Sequence, residues 1–241
     1  MCIRDSVEDV NPHLRRITFA GGDLATFEPL GPDTFLYVLA PPPGRAELTI
    51  DASFTWDAHR AMPEADRPVG AYYSVRCWDP VRSELEMLFV LHGDDGAASA
   101  WATRVEPGGP VALWGPRRAF HPPADTEWFL LVADETGLPA AAAIIESLPS
   151  TTPVRVVAEV ADESSRQALT ERDAVQVTWL HRDRTSRTLL DGVRSLPWPG
   201  GAVYAWGGAE SHDVTAVRTY LRQTVGLPRE RVSMTGYWRR A

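Results

Sequence analysis

The chain has 241 residues, enough for two modest domains or one large one. Its hydrophobic content of 44% and charged content of 23% are ordinary for a globular protein, and its net charge of −8, with all 24 basic residues arginine, argues against broad binding to nucleic acid or to an anionic membrane. Two cysteines, Cys2 and Cys77, give neither a disulfide framework nor metal-ligand spacing, so no metal site is expected. No apolar run approaches the roughly 20 residues that span a bilayer, and no secretory signal is visible. A cytoplasmic setting without membrane insertion is the expectation.

In chain order, residues Met1 to Ser6 fit poorly with the patterned chain after them and read as a scar outside the fold, leaving a short first strand. Leu14 to Ala20 alternates, with Ile17 and Phe19 on one face against Arg16 and Thr18. Further strands are expected at Phe35–Leu39, Tyr72–Trp78, Leu85–His92 and Val111–Trp114, with a helix at Ala98–Val105. This pattern predicts an antiparallel β-barrel. The texture changes at His121-Pro122-Pro123, which divides the chain into domains 1–121 and 122–241. Strands then alternate with helices. Strands are expected at Trp128–Ala133, Val154–Val160, Val175–Leu180, Ala202–Trp206 and Arg231–Trp238, the fourth stopping at Gly207-Gly208. Helices are expected at Gly137–Leu148, Leu189–Leu196 and Asp213–Val225, the last with Val214, Val217, Leu221 and Val225 on one face. Such alternation predicts an α/β Rossmann-like domain with a parallel sheet.

Four segments could carry chemistry. Tyr73, Ser74, Val75 and Arg76 place an aromatic ring beside a small hydroxyl on a strand. Neighbours on a strand point to opposite faces, so Ser74 would act through its backbone or at a twist. His92, Gly93, Asp94, Gly96, Ala98 and Ser99 form a strand–turn–helix whose free amides suit a phosphate. Asp134, Glu135 and Thr136 open the first helix of the second domain, where a dinucleotide phosphate would sit, although the spacing is not G-x-G-x-x-G. Gly236-Tyr237-Trp238-Arg239-Arg240 is an aromatic–basic end. Each also has a plain structural reading: a strand with a surface arginine, a capped helix start, a packed Tyr-Trp pair. Metalloprotease, zinc-module, G-x-S-x-G hydrolase and P-loop motifs do not occur.

In this order the segments resemble the siderophore-interacting protein family of flavin-dependent ferric-siderophore reductases. Tyr73, Ser74 and Arg76 match its R-x-Y-[ST]-x-R motif; His92, Gly93, Asp94, Gly96, Ala98 and Ser99 match H-G-D-x-G-x-A-S; Asp134 to Ala140 match Asp-Glu-Thr-x-Leu-Pro-Ala. Ala71 departs from the pattern, which has an arginine there to support the FAD diphosphate. The resemblance implies FAD as cofactor, NADH or NADPH as donor with reduced ferredoxin as an alternative, and a ferric siderophore as acceptor. It puts basic substrate-binding residues at Arg117, Arg118 and Arg239. It implies no acid–base side chain, and a monomer is expected. Two rivals stay open: a flavin reductase serving a protein partner, and a flavin- or siderophore-binding protein with weakened turnover.

Overall fold

The structure, a computed structural model, describes residues 2–92 and 96–240, with side chains from residue 6 onward. Contacts divide the chain into two units: Met1–Leu30 with Thr34–Arg117, and Gly31–Asp33 with Arg118–Ala241. The division therefore falls ahead of His121, and packing explains why. Phe120 belongs to the second core, 5.7 Å from Phe129 and 5.4 Å from Tyr204 between ring centroids. The buried Asp33 carboxylate accepts the Ala119 amide at 2.9 Å and the Trp206 indole N–H at 3.2 Å, which binds residues 31–33 to the same unit.

The first unit contains strands β1 (Cys2–Asn11), β2 (Leu14–Ala20) and β3 (Phe35–Ala40), helix α1 (Trp56–Ala61), strands β4 (Val69–Asp79) and β5 (Glu84–Val90), helix α2 (Ala97–Arg104) and strand β6 (Pro110–Arg117). The strands close an antiparallel barrel in the order β1-β2-β5-β4-β3-β6. Period-two alternation builds its core: Leu85, Met87 and Phe89 of β5 are fully buried while their neighbours are not. Each large apolar side chain buried this way contributes about 1.5–3 kcal/mol.

The opening residues are not outside the fold. β1 runs through them for ten residues, pairing Ile3 with Ala20 on one side and Cys2 with Val111 on the other, and so closes the barrel. With few apolar residues in alternation, β1 leaves little trace in the sequence pattern. Helix α1 also lacks a periodic signal. Thr55 caps it by accepting the Ala58 amide at 3.1 Å, and Trp56 packs against Tyr37 and Trp114 on the barrel's outer face.

The second unit contains β7 (Trp128–Ala133), α3 (Leu138–Ser147), β8 (Val154–Val160), β9 (Val175–His181), α4 (Leu189–Arg194), β10 (Val203–Glu210), α5 (Ser211–Thr219) and β11 (Val232–Trp238). They form a parallel sheet in the order β11-β10-β7-β8-β9. β7 is buried along its whole length because both faces are covered. Phe129, Leu131 and Ala133 meet α3 on one face; Leu130 and Val132 meet α4 and α5 on the other. After β9 the chain returns to the opposite side of β7. The switch point of this doubly wound sheet therefore lies between the carboxyl ends of β7 and β10, where such sheets bind ligands.

Strand β10 does not stop at its glycines but continues through them to Glu210. Gly207 and Gly208 are points of close approach rather than breaks: added Cβ atoms would lie 2.5 Å from the Met234 sulfur and 2.8 Å from the Tyr237 ring. Helix α5 begins two residues earlier than the pattern predicts and passes into a wider turn at Tyr220–Thr224, which ends near Gly226 at φ +82°.

Within the second unit the tightest approach is between α3 and β10. A Cβ on Gly137 would stand 1.9 Å from the Gly208 carbonyl oxygen, a backbone atom that cannot turn aside. Gly137→Ala should therefore lower stability by about 2–4 kcal/mol in urea denaturation. An unchanged midpoint would show that the α3–β10 approach is slack.

Candidate functional site

In the first unit the aromatic strand segment lies at one end of the barrel core. The half-buried Tyr73 ring packs on Phe89 at 4.0 Å between centroids, and Phe89 is 5.6 Å from Trp101 of α2. Burial pushes the Tyr73 phenol well above its usual pKa, so it stays a neutral hydrogen-bonding group. The regular alternation fails here: Ser74 and Val75 are buried in succession, and β4 bulges against β5 between Val75 and Cys77, at Arg76. Val75 and Tyr73 pack with the barrel core, while Ser74, opposite Phe35, is buried as well. Ser74 is 6% exposed, yet its Oγ has no hydrogen-bond partner among the described residues. An unmatched buried hydroxyl of this kind costs about 1–3 kcal/mol. Val75 donates its amide to the Thr34 carbonyl at 2.8 Å.

Beside this segment, β5 leads into α2. The His92 amide donates to the buried Ser99 Oγ at 3.0 Å, joining the strand end to the helix's first turn. Gly93 and Asp94 lie outside the described residues. Gly96 is the N-cap and supplies no side-chain cap, Ala98 is half-buried, and the first turn of α2 itself holds no acidic residue. A residue without a motif to reveal it fixes the other end: Arg15 donates to the carbonyls of Ala102 at 2.8 Å and Thr103 at 2.7 Å, and pairs with Asp9 at 2.6 Å.

In the second unit, Asp134 and Thr136 are tied to one another rather than turned outward. The Asp134 carboxylate accepts the Thr136 amide at 2.8 Å and hydroxyl at 2.5 Å on Oδ1, and the Glu210 amide at 3.0 Å and Trp238 Nε1 at 2.6 Å on Oδ2. Burial pushes this carboxyl above the ordinary range, and the bonds from Thr136 and Trp238 pull it part of the way back. Glu135 turns away to the end of β8, where it accepts the Ala161 amide at 2.6 Å and pairs with Arg182, which also reaches Glu159 at 3.2 Å. For Glu210, burial alone would raise the carboxyl, but the amides of Arg240, Asp213 and His212 hold it below its usual value.

Of the basic candidates, Arg117 is exposed on its own unit's barrel, its guanidinium 4.8 Å from the Trp114 ring centroid and 5.5 Å from that of Tyr72. In the second unit Arg118 lies alongside Gly31, and Arg239 is exposed next to the anchored Trp238.

Comparison with known proteins decides the family. The siderophore-interacting FAD-binding domain matches residues 5–120, and the siderophore-interacting protein description matches residues 126–241. The chain belongs to the siderophore-interacting protein family. It is 27% identical over 239 residues to the ferric vibriobactin reductase ViuB of Vibrio cholerae, covering 96% of this chain and 86% of ViuB. It is 29% identical over 239 residues to the NADPH-dependent ferric-chelate reductase of Escherichia coli, covering 96% of this chain and 89% of that one. Among solved structures it is similar to the siderophore-interacting protein SipS of Aeromonas hydrophila, with a TM-score of 0.82 and 28% identity, covering 100% of this chain and 91% of SipS.

The first unit fits the cofactor this family binds. A flavin needs a ring-sized aromatic contact, a hydrogen-bonding group at its redox edge and an anion site for its diphosphate. Tyr73, the unmatched Ser74 hydroxyl and the start of α2 have those chemistries. A partner for Ser74 predicts an unusual split. Ser74→Ala should leave the flavin-free protein as stable or slightly more stable in thermal denaturation, because an unmatched hydroxyl is removed. The same change should weaken FAD binding about tenfold, the size of one lost hydrogen bond. Equal FAD affinity in fluorescence titration would show that the hydroxyl has no role with the flavin.

Proposed function

We propose that this protein is an FAD-dependent reductase that passes electrons from NAD(P)H to a ferric siderophore and so releases iron(II). The observation that carries the reading is the buried, unmatched Ser74 hydroxyl beside Tyr73, within a unit matched to a siderophore-interacting FAD-binding domain. The names of the relatives support the acceptor and the donor: one is a ferric vibriobactin reductase, another an NADPH-dependent ferric-chelate reductase.

Bound FAD would supply the exchange between a two-electron hydride donor and a one-electron iron(III) acceptor. The chain's own part is binding and electrostatics. Tyr73 and Ser74 would hold the isoalloxazine, and the start of α2, with His92 and Ser99 behind it, would receive the diphosphate. Arg117, kept extended by Trp114 and Tyr72, presents a cation to an anionic chelate in a protein of net charge −8. Arg118 and Arg239 would add to that field. Oxygen ligands hold iron(III) more tightly than iron(II), so reduction loosens the chelate without an acid–base residue. No helix among the described residues is long and apolar enough to cross a membrane, in keeping with action in the cytoplasm.

Mixing FAD-loaded protein anaerobically with NADPH or NADH should bleach the flavin absorbance. Adding a ferric siderophore should restore it and yield iron(II) that an iron(II)-selective chelator traps. Flavin that is reduced but passes nothing to ferric chelates would favour a reductase serving a protein partner.

Two substitutions probe the parts. Ala71→Arg restores a cation where the family motif has one, and should tighten FAD binding about tenfold in a titration of apoprotein. Arg117→Ala should raise KM for an anionic ferric chelate several-fold and for a neutral one little. That difference should fade with added salt, since exposed charges are screened beyond roughly 10 Å at 0.1 M. Equal losses for both chelates would point to a packing defect around Trp114.

A further inference from the structure

Both helix N-termini that flank the switch point of the parallel sheet are already engaged by the protein's own carboxylates. Asp134 takes the Thr136 amide ahead of α3, and Glu210 takes the His212 and Asp213 amides at the start of α5, at 2.6 and 3.1 Å. A dinucleotide pyrophosphate ordinarily uses such amides. What the crevice offers instead is an indole. Trp238 ends β11 with 40% of its surface exposed, although its Nε1–H is held by the buried Asp134 at 2.6 Å. The next turn of chain is fixed as well: the Arg240 amide donates to Glu210 Oε1 at 3.2 Å, and its guanidinium lies 5.7 Å from the Trp238 ring centroid.

In doubly wound sheets the adenosine ribose lies toward the strand after the first crossover, here β8. The opposite end of the dinucleotide then lies over β10 and β11, where Trp238 stands. We propose that the Trp238 indole is the stacking wall for the donor's nicotinamide ring, and that Asp134 is a positioning residue that fixes this indole. The inference rests on the NAD(P)H reading above. It also accounts for an aspartate at a place where a phosphate site would favour glycine: both oxygens are needed as acceptors, Oδ1 for Thr136 and Oδ2 for Glu210 and Trp238. Asparagine has one acceptor oxygen, and its amide would set donors against donors on one side.

The test uses full-length, FAD-loaded protein carrying Trp238→Phe, Asp134→Asn or both, with Trp238→Ala as the loss of the ring itself. Calorimetric binding of NADP⁺ and NAD⁺ reads the site without turnover, and KM against kcat for NADPH and NADH reads it during turnover. Trp238→Phe keeps an aromatic ring but loses the anchor, and should weaken dinucleotide binding about tenfold. Asp134→Asn, which also disturbs the Thr136 and Glu210 bonds, should weaken it at least as much, and the double variant should lose less than the sum of the two singles, because both changes break the Trp238 anchor. Trp238→Ala should weaken binding further, and KM should rise by a larger factor than kcat falls in each case. Should Asp134→Asn fail to fold, the two Trp238 variants decide alone. Unchanged dinucleotide affinity in both Trp238 variants overturns the proposal, as does an additive loss in the double variant, while wild-type oxidation of NAD(P)H leaves the donor reading standing. Wild-type protein that neither binds nor oxidises either nicotinamide removes the donor reading, and this proposal with it.

Discussion

A carboxylate taken out of water must find hydrogen-bond donors on both oxygens, and Asp134 meets that demand with groups from three separate places in the sequence. It stands directly after β7, and its partners are Thr136 ahead of α3, Glu210 at the end of β10 and Trp238 at the end of β11. The carboxyl ends of three neighbouring strands therefore converge on one side chain at the switch point. The constraint spreads from there: Glu210, fixed by its own amide, caps α5 and holds the Arg240 amide, while Gly137 and Gly208 let α3 and β10 approach to backbone contact. A second buried carboxylate, Asp33, accepts from Ala119 and Trp206 on Oδ2 alone, its Oδ1 having no partner among the described residues, and draws residues 31–33 into the unit of the parallel sheet.

The barrel follows the opposite logic. Its core is apolar, and among its buried polar groups is Ser74, a hydroxyl without a partner among the described residues. Buried polar groups in folded proteins are nearly always satisfied, so an unmatched one next to an aromatic ring directs attention to a ligand. The start of α2, which has no side-chain cap and is held at its far end by Arg15, would offer the proposed flavin its diphosphate amides. In the proposed reading a hydroxyl, a ring and a helix end would hold the flavin, and Arg117, a cation on an aromatic platform, would serve the acceptor.

Much of the fold was legible because local patterns and tertiary burial agree. β2, β7 and β8 begin and end where alternation or an unbroken apolar run puts them, since a strand with one or both faces buried has little freedom in its composition. β1 was not legible: backbone pairing to β2 and β6 holds it, and few apolar side chains mark it. Gly207 and Gly208 read as a stop because glycine ends strands locally, yet here a ring and a sulfur require the missing side chains. The site was legible as motifs and less so as roles. Asp134 looked like a phosphate neighbour, but its partners lie 76 and 104 residues away, beyond any local pattern. Ser74 is buried next to the equally buried Val75, which strand alternation alone does not show.

The central claim is that the barrel is a flavin site, and titration of flavin-free protein with FAD tests it most directly. Flavin fluorescence should be quenched to a sharp end point at one FAD per chain, and the complex should keep the yellow flavin spectrum through gel filtration. Protein that gains no flavin absorbance at high FAD concentration would contradict the account, whatever its affinity for ferric chelates.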